Sequence, residues 1–221
     1  MVSPGPLRDS RKSRALWRAA AALVCGLLAA ATPIARAGGE GGLSPTELAR
    51  LQKGELVQRP VREQRGDMEL MGGSSYQVID ARPEIVWQAL LDTSHYDRML
   101  PQLAEARVLS EQGDARKVFM RHTTAGLVDT SYYLDLKLDH AQRDLAFRVD
   151  ESKDNGIRAA WGFYTVRPHP GGKSLLAYAV MADIGQGLGV AVVRGTVHTW
   201  MLKVPWMVKR FVEGSGRHIY H

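Results

Sequence analysis

The chain has 221 residues, with 29 Lys+Arg against 23 Asp+Glu and a net charge of +6. Six of the basic groups but only one acid, Asp9, fall in residues 1–37. The remainder has 23 basic and 22 acidic groups and lacks the basic excess of a nucleic-acid-binding surface. The sole cysteine, Cys25, lies in the same first segment, which excludes disulfides, a thiolate nucleophile and Cys-ligated metal from the rest.

Residues 1–37 have the order of a secretory signal peptide. Arg8, Arg11, Lys12, Arg14 and Arg18 precede a 13-residue apolar core, Ala19 to Ala31, and Ala35-Arg36-Ala37 forms an A-x-A cleavage pattern. The core is shorter than the roughly 20 residues of a membrane-spanning helix. The expectation is cleavage after Ala37 and export, to the periplasm of a two-membrane bacterium given the Ala-rich leader. Full secretion and an uncleaved membrane anchor are the alternatives.

A glycine-rich spacer follows (Gly38 to Gly42), then "LSPTELARLQKGE", in which Ser44, Pro45 and Glu47 spell a capped helix start and Gly54 a stop. Residues 38–54 thus read as spacer and short N-terminal helix, packing through Leu48 and Leu51. Extended sequence runs over 56–63 and 68–79, with Gly72-Gly73 marking a bulge or kink. "ARPEIVWQALLDTSHYDRMLP" then interrupts the strands with two short helices, the second capped by an S-x-x-D pattern at Ser94 and Asp97. Two strands flank the turn Gln112-Gly113-Asp114. The next, "VDTSYYLDLKLDH", alternates Val128, Thr130, Tyr132, Leu134, Leu136 and Leu138 against Asp129, Ser131, Tyr133, Asp135, Lys137 and Asp139, as a half-buried antiparallel strand does. Leu145, Phe147 and Val149 share one face of the following strand. A last pair, "IRAAWGFYTVRP" and "KSLLAYAVMADI", meets at "PHPGG", and helical spacing resumes with Val193, Val197, Trp200 and Met201, with a kink or restart at Pro205.

This order predicts one α+β domain over 55–214: a curved antiparallel sheet wrapped around a long C-terminal helix, with residues 215–221 as a polar tail. The stretch "DARPEIVWQALLDTSHYDRMLPQLAEARVL" resembles the opening segment of the START and birch-pollen-allergen-like (SRPBCC) superfamily. Its coenzyme-Q-binding and polyketide-cyclase-like bacterial members are the nearest in look. The matching features are Val78-Ile79-Asp80, Pro83-Glu84, Val86-Trp87, Leu90, Asp92, Tyr96, Leu100-Pro101 and Val108-Leu109. The resemblance implies a helix-grip fold in which the helical pair closes one end of a cavity between sheet and C-terminal helix.

The residues carry no stronger chemical motif. "PGGKS" lacks the earlier glycine of a phosphate-binding loop, and "GQGLG" (Gly185 to Gly189) reads as a flexible link into the last helix. The seven histidines form no H-x-H or H-E-x-x-H pair, and no G-x-S-x-G elbow is present, so neither a metal nor a cofactor is expected. The leading expectation is a carrier of a hydrophobic small molecule: lipid, isoprenoid quinone or polyketide-like aromatic. Leu134, Leu136, Phe147, Trp161, Phe163, Met181 and Trp200 would line its cavity. His122 and Tyr132, with Arg121 beside them, would orient a polar end. A cyclase- or dehydratase-type enzyme using His122, Tyr132 and Asp183 as acid–base groups is the second reading, and a filled-core protein-interaction module the third. Trp206 and Met207, flanked by Lys203, Lys209 and Arg210, form either a solvated helix end or a transient membrane contact.

Overall fold

The computed structural model describes residues 42–124, 128–185 and 188–220, with the side chains of 124, 128 and 188–193 left aside. The leader, most of the glycine spacer and the middle of the Gly185–Gly189 link lie outside the described residues. In chain order the elements are α1 (Pro45–Gln52), β1 (Val57–Arg65), β2 (Met68–Ile79), α2 (Pro83–Leu91), a 3-10 turn (Thr93–His95) and α3 (Tyr96–Met99). Strands β3 (Leu103–Gln112), β4 (Ala115–Thr124), β5 (Val128–Asp139), β6 (Asp144–Val149), β7 (Ala159–His169) and β8 (Lys173–Asp183) follow, then α4 (Leu188–Met201) and α5 (Val204–Glu213).

The eight strands form one antiparallel sheet in the order β1-β2-β8-β7-β6-β5-β4-β3. Strands β3 to β8 are a simple meander, each turned back by a short loop. Because β2 pairs with β8, the α2–α3 segment must carry the chain from β2 to the far edge, where β3 begins. That is the expected α+β helix-grip architecture.

Local chemistry accounts for the helix starts. Ser44 and Glu47 form a reciprocal capping box on α1, with Pro45 in the first turn. Pro83 presets the first turn of α2 and Glu84 lies at its positive end. The cap proposed at Ser94 does not form. Asp92 caps the 3-10 turn instead, accepting from the Ser94 backbone N–H at 3.1 Å, and α3 has no side-chain cap. The long C-terminal helix is broken at Leu202–Lys203, and Pro205 sits in the first turn of α5, where its missing N–H costs nothing.

Two layers cover the sheet. On the concave face, α2 and α5 bury Val86, Trp87, Leu90, Val208, Phe211 and Val212 against Ile79, Val166 and Leu176. On the other face, α1 sets Leu51 on Val57, Tyr76, Val78, Leu175 and Ala177. The C-terminal residues expected as a polar tail fold back instead. Ile219 and Tyr220 pack on the concave core, and the Tyr220 hydroxyl donates to Asp92 at 3.0 Å.

Gly72 and Gly73 bend β2 without a bulge, since its register with β1 and β8 runs unbroken through both. A Cβ on Gly72 would lie 1.9 Å from the Val180 carbonyl oxygen, and one on Gly73 would lie 2.1 Å from that of Arg59. Gly73 also has φ +132, which side-chain-bearing residues rarely adopt. Gly72→Ala is therefore expected to cost about 3 kcal/mol, because backbone must move on the most buried strand pair. Urea unfolding of the variant measures it, and an unchanged midpoint would mean that the strands tolerate separation there.

Candidate functional site

Between the concave face and the C-terminal helices lies a cavity of about 400 Å³, within the size range of small-molecule sites. Strand pleating decides what reaches it. From β4 come Val118, Met120 and His122; from β5, Thr130, Tyr132, Leu134 and Leu136; from β6, Leu145 and Phe147. From β7 and β8 come Ala160, Tyr164, Tyr178, Val180 and Ala182. Each strand contributes alternate residues, as a single sheet face requires. Thr93, Tyr96 and Leu100 close one end, which is the role expected of the helical pair. Val197, Trp200, Met201, Val204 and Met207 close the roof.

Of the residues expected at the site, His122, Tyr132, Leu134, Leu136, Phe147 and Trp200 are brought together here. Trp161, Phe163 and Met181 are not. They point from the opposite face of β7 and β8, where Trp161 pairs in register with Met181 and lies under the Arg65 guanidinium at 6.0 Å. The phase error arises because β8 is buried on both sides, so hydrophobicity does not show which face looks inward. Arg121 also points outward, 3.4 Å from Glu105. Asp183 is buried away from the cavity. Its carboxylate accepts from the Gly185 N–H at 2.8 Å and lies 3.2 Å from Arg158, which anchors the loop leaving β8. His122, Tyr132 and Asp183 therefore do not form the converging acid–base set considered above.

Tyr164, Tyr178 and Tyr96 line the cavity without having been expected there; the alternation Ala160, Gly162, Tyr164 carries Tyr164 inward, and Tyr178 and Tyr96 reach it from β8 and α3. Tyr164 and Tyr178 have ring centroids 4.6 Å apart, and burial raises both phenols well above their ordinary range. Gly162 makes room beside them: a Cβ there would lie 2.5 Å from the Phe147 ring.

The most specific polar feature is the pair His122–Tyr132. Their rings stack at 5.6 Å with an interplanar angle of 9°, and the Tyr132 hydroxyl lies 2.8 Å from His122 Nε2. The tautomer of the imidazole sets which of the two groups donates across this contact. Burial lowers the His122 pKa to about 4 and pushes the Tyr132 phenol above its usual range. Both groups are uncharged at neutral pH.

The frame around the cavity is held by fewer, stronger contacts. His198 on α4 is buried and places Nε2 2.8 Å from the Gly72 carbonyl oxygen. Arg62 donates to His198 Nδ1 at 3.4 Å, and Arg194 pairs with Glu69. The loop carrying Gly156 and Ile157 to the cavity is organised by Asp150, which accepts from Lys117 Nζ and Ser152 Oγ at 2.6 Å each. The Lys117 hydrogen bond holds the Asp150 carboxyl well below the usual carboxylate range.

The sequence matches the family described as polyketide cyclase / dehydrase and lipid transport over residues 74–213. Solved structures share the fold at low identity. A STAR-related lipid transfer protein from Xanthomonas axonopodis superposes with a TM-score of 0.55 at 12% identity, covering 71% of this chain and 99% of that one. The Zhui aromatase/cyclase from a Streptomyces species gives 0.50 at 17% identity, covering 66% of this chain and 98% of that one. No protein of curated function matches the chain in sequence.

The neutral imidazole has a consequence for stability. In the unfolded chain His122 titrates near its ordinary value of 6.5, whereas folded it stays uncharged down to about 4. Below pH 6.5 the unfolded state binds a proton that the folded state refuses. Stability present above pH 6.5 is therefore lost as pH falls toward 4, by about 3 kcal/mol. Urea titrations from pH 7 to 4 should show that His122→Gln lacks this part of the acid sensitivity. Equal pH dependence in the two proteins would contradict a buried neutral ring.

Proposed function

We propose, on the premise that this chain belongs to the polyketide cyclase / dehydrase and lipid transport family, that it is an exported carrier of a hydrophobic small molecule. The chain is a START-like hydrophobic ligand-binding or polyketide-cyclase domain. The choice of carrier rests on one observation: the cavity is walled by aliphatic and aromatic side chains, and its polar pair is built to orient rather than to react.

Moving a proton from Tyr132 to His122 would join a phenol of raised pKa to an imidazole whose conjugate acid titrates at about 4. That transfer is strongly uphill at neutral pH, and general acid–base catalysis works best with groups matched to the working pH. Burial of apolar ligand surface supplies the affinity instead, at about 25 cal/mol per Å² removed from water. Lipid, isoprenoid quinone and polyketide-like aromatics all present such surface. Ligand exchange would proceed by movement of α4, which is held on the sheet by His198 and Arg194 and separated from α5 by the break at Leu202–Lys203.

Ala160 lines the cavity and is paired in register with Ala182 on the same face. Ala160→Phe should fill part of the void and weaken binding of a solvatochromic dye such as Nile red at least about tenfold. Circular dichroism of the variant should be unchanged. Solvent extraction and mass spectrometry of the native protein should yield a stoichiometric apolar species. Dye binding unaffected by Ala160→Phe, with nothing extracted, would favour the filled-core interaction module. Conversion of an extracted ligand that is lost in His122→Gln would favour the enzyme.

Export is part of the same proposal and rests on the order of basic, apolar and A-x-A segments in residues 1–37. N-terminal sequencing of protein recovered from the periplasm should begin at Gly38. Recovery with Met1 or Val2 at the N-terminus in the membrane fraction would identify an uncleaved anchor.

A further inference from the structure

We infer that the corner between α4 and α5 docks on the surface of an anionic lipid bilayer, with Trp206 in the interfacial layer and Lys203 and Arg210 on the lipid head groups. Charge is unevenly placed along the chain. Residues 194–217 contain five Lys/Arg (Arg194, Lys203, Lys209, Arg210 and Arg217) against one acid, Glu213. Everything else beyond residue 37 holds 18 basic and 21 acidic groups. The C-terminal helices are thus the basic pole of an otherwise acidic domain, and a negatively charged surface is drawn to that pole.

The fold decides which of these cations are free. Arg194 is spent on Glu69, and Lys209 on Glu213 at 2.6 Å. Among the described residues, Lys203, Arg210 and Arg217 have no carboxylate partner. Helical spacing puts Lys203, Trp206 and Arg210 on one face, opposite the buried Pro205, Val208, Phe211 and Val212. Met207 turns inward to the cavity. Trp206 is 36% exposed and is the one exposed large aromatic side chain among the described residues. The Arg210 guanidinium lies 5.0 Å from its ring centre.

An exposed tryptophan between unpaired cations suits the head-group layer, where the ring is partly desolvated and the cations meet anionic lipid. A protein partner is disfavoured by the small apolar area. Stable protein interfaces bury roughly 800 Å² on each side, whereas Trp200, Val204 and Met207 beside Trp206 face the cavity.

The corner is also the outer side of the cavity roof. The helix breaks at Leu202–Lys203, and Lys203 Nζ stands 5.7 Å from the ring centre of Trp200, which lines the cavity from within. Docking there sets the joint of the roof against lipid, so an apolar molecule leaving through it would enter lipid instead of water. Docking itself requires no ligand and stands or falls apart from the carrier reading.

Co-sedimentation with vesicles tests it, using phosphatidylcholine alone and phosphatidylcholine with about 30% phosphatidylglycerol. The exported protein should bind the anionic vesicles and not the neutral ones, and binding should weaken at least about tenfold in high salt. Lys203→Gln with Arg210→Gln should weaken it by about twentyfold, and Trp206→Ala by about fivefold. All variants share one N-terminus, so the leader cannot produce these differences. Nile red binding should be unchanged in each, which separates docking from the cavity. Should Lys203→Gln disturb the helix junction, as circular dichroism would show, Arg210→Gln with Trp206→Ala carries the same expectation of a loss of at least about twentyfold. Equal binding to both kinds of vesicle, no binding to either, or full binding by the substituted proteins would overturn the docking surface. Crosslinking from position 206 to a protein and not to lipid would overturn it as well. Normal Nile red binding in any of those cases would leave the carrier reading in place.

Discussion

The structure depends on the close approach of three backbones at Gly72 and Gly73. With no Cβ at either position, β2 can bend while keeping its full register with β1 on one side and β8 on the other. The Gly72 carbonyl oxygen accepts from His198 on α4 at 2.8 Å. The same residue that curves the sheet therefore receives α4.

The cavity has two kinds of wall. Near α2 and α5 the packing is complete, and Val86, Val166, Leu176 and Val208 have no exposed surface at all. Toward α4 the side chains stand apart, and the polar lining among the described residues is phenols, an imidazole, threonine hydroxyls, Gln102 and, at the rim, Asp129. Burial makes the phenols and the imidazole hold their neutral forms. The pair His122–Tyr132 is consequently an uncharged hydrogen-bonded unit facing the cavity. Around the mouth the strong charges point elsewhere. Lys117 and Asp150 shape the Gly156 loop, and Arg121 and Glu105 pair on the opposite face of β4.

Legibility in the sequence followed the number of wet faces. On β5 the alternation of Leu134 and Leu136 with Asp135 and Lys137 identifies the inward side, because only one face is buried and the other must be polar. His122, Tyr132, Leu134, Leu136 and Phe147 reach the cavity as that pattern implies. On β7 and β8 both faces are apolar: Trp161, Phe163 and Met181 look as core-like as Tyr164, Tyr178 and Val180. A one-residue change of phase exchanges the two sets, and nothing in the periodicity chooses between them. The choice is made by α1 and Arg65, which act from elsewhere in the chain, together with Gly162 on β7 itself. The C-terminal residues were misread for a related reason. Ile219 and Tyr220 are too few to show a pattern, yet they dock because Phe211, His95 and Asp92 offer a prepared surface.

What the sequence by itself determined is the architecture. Strand alternation, turn glycines, the capping box at Ser44, the Pro83 helix and the apolar C-terminal helices are local signals, each set by dihedral preference or side-chain period, and together they admit one antiparallel sheet gripping a helical layer. What only the tertiary structure decided is the site. Which face of β7 and β8 looks inward, that Tyr164 and Tyr178 join His122 and Tyr132, that Asp183 and Arg121 leave them, and that a void remains, all depend on contacts between residues far apart in sequence. Local propensity sees none of these contacts, because the free energy of packing is shared among elements and belongs to no single one.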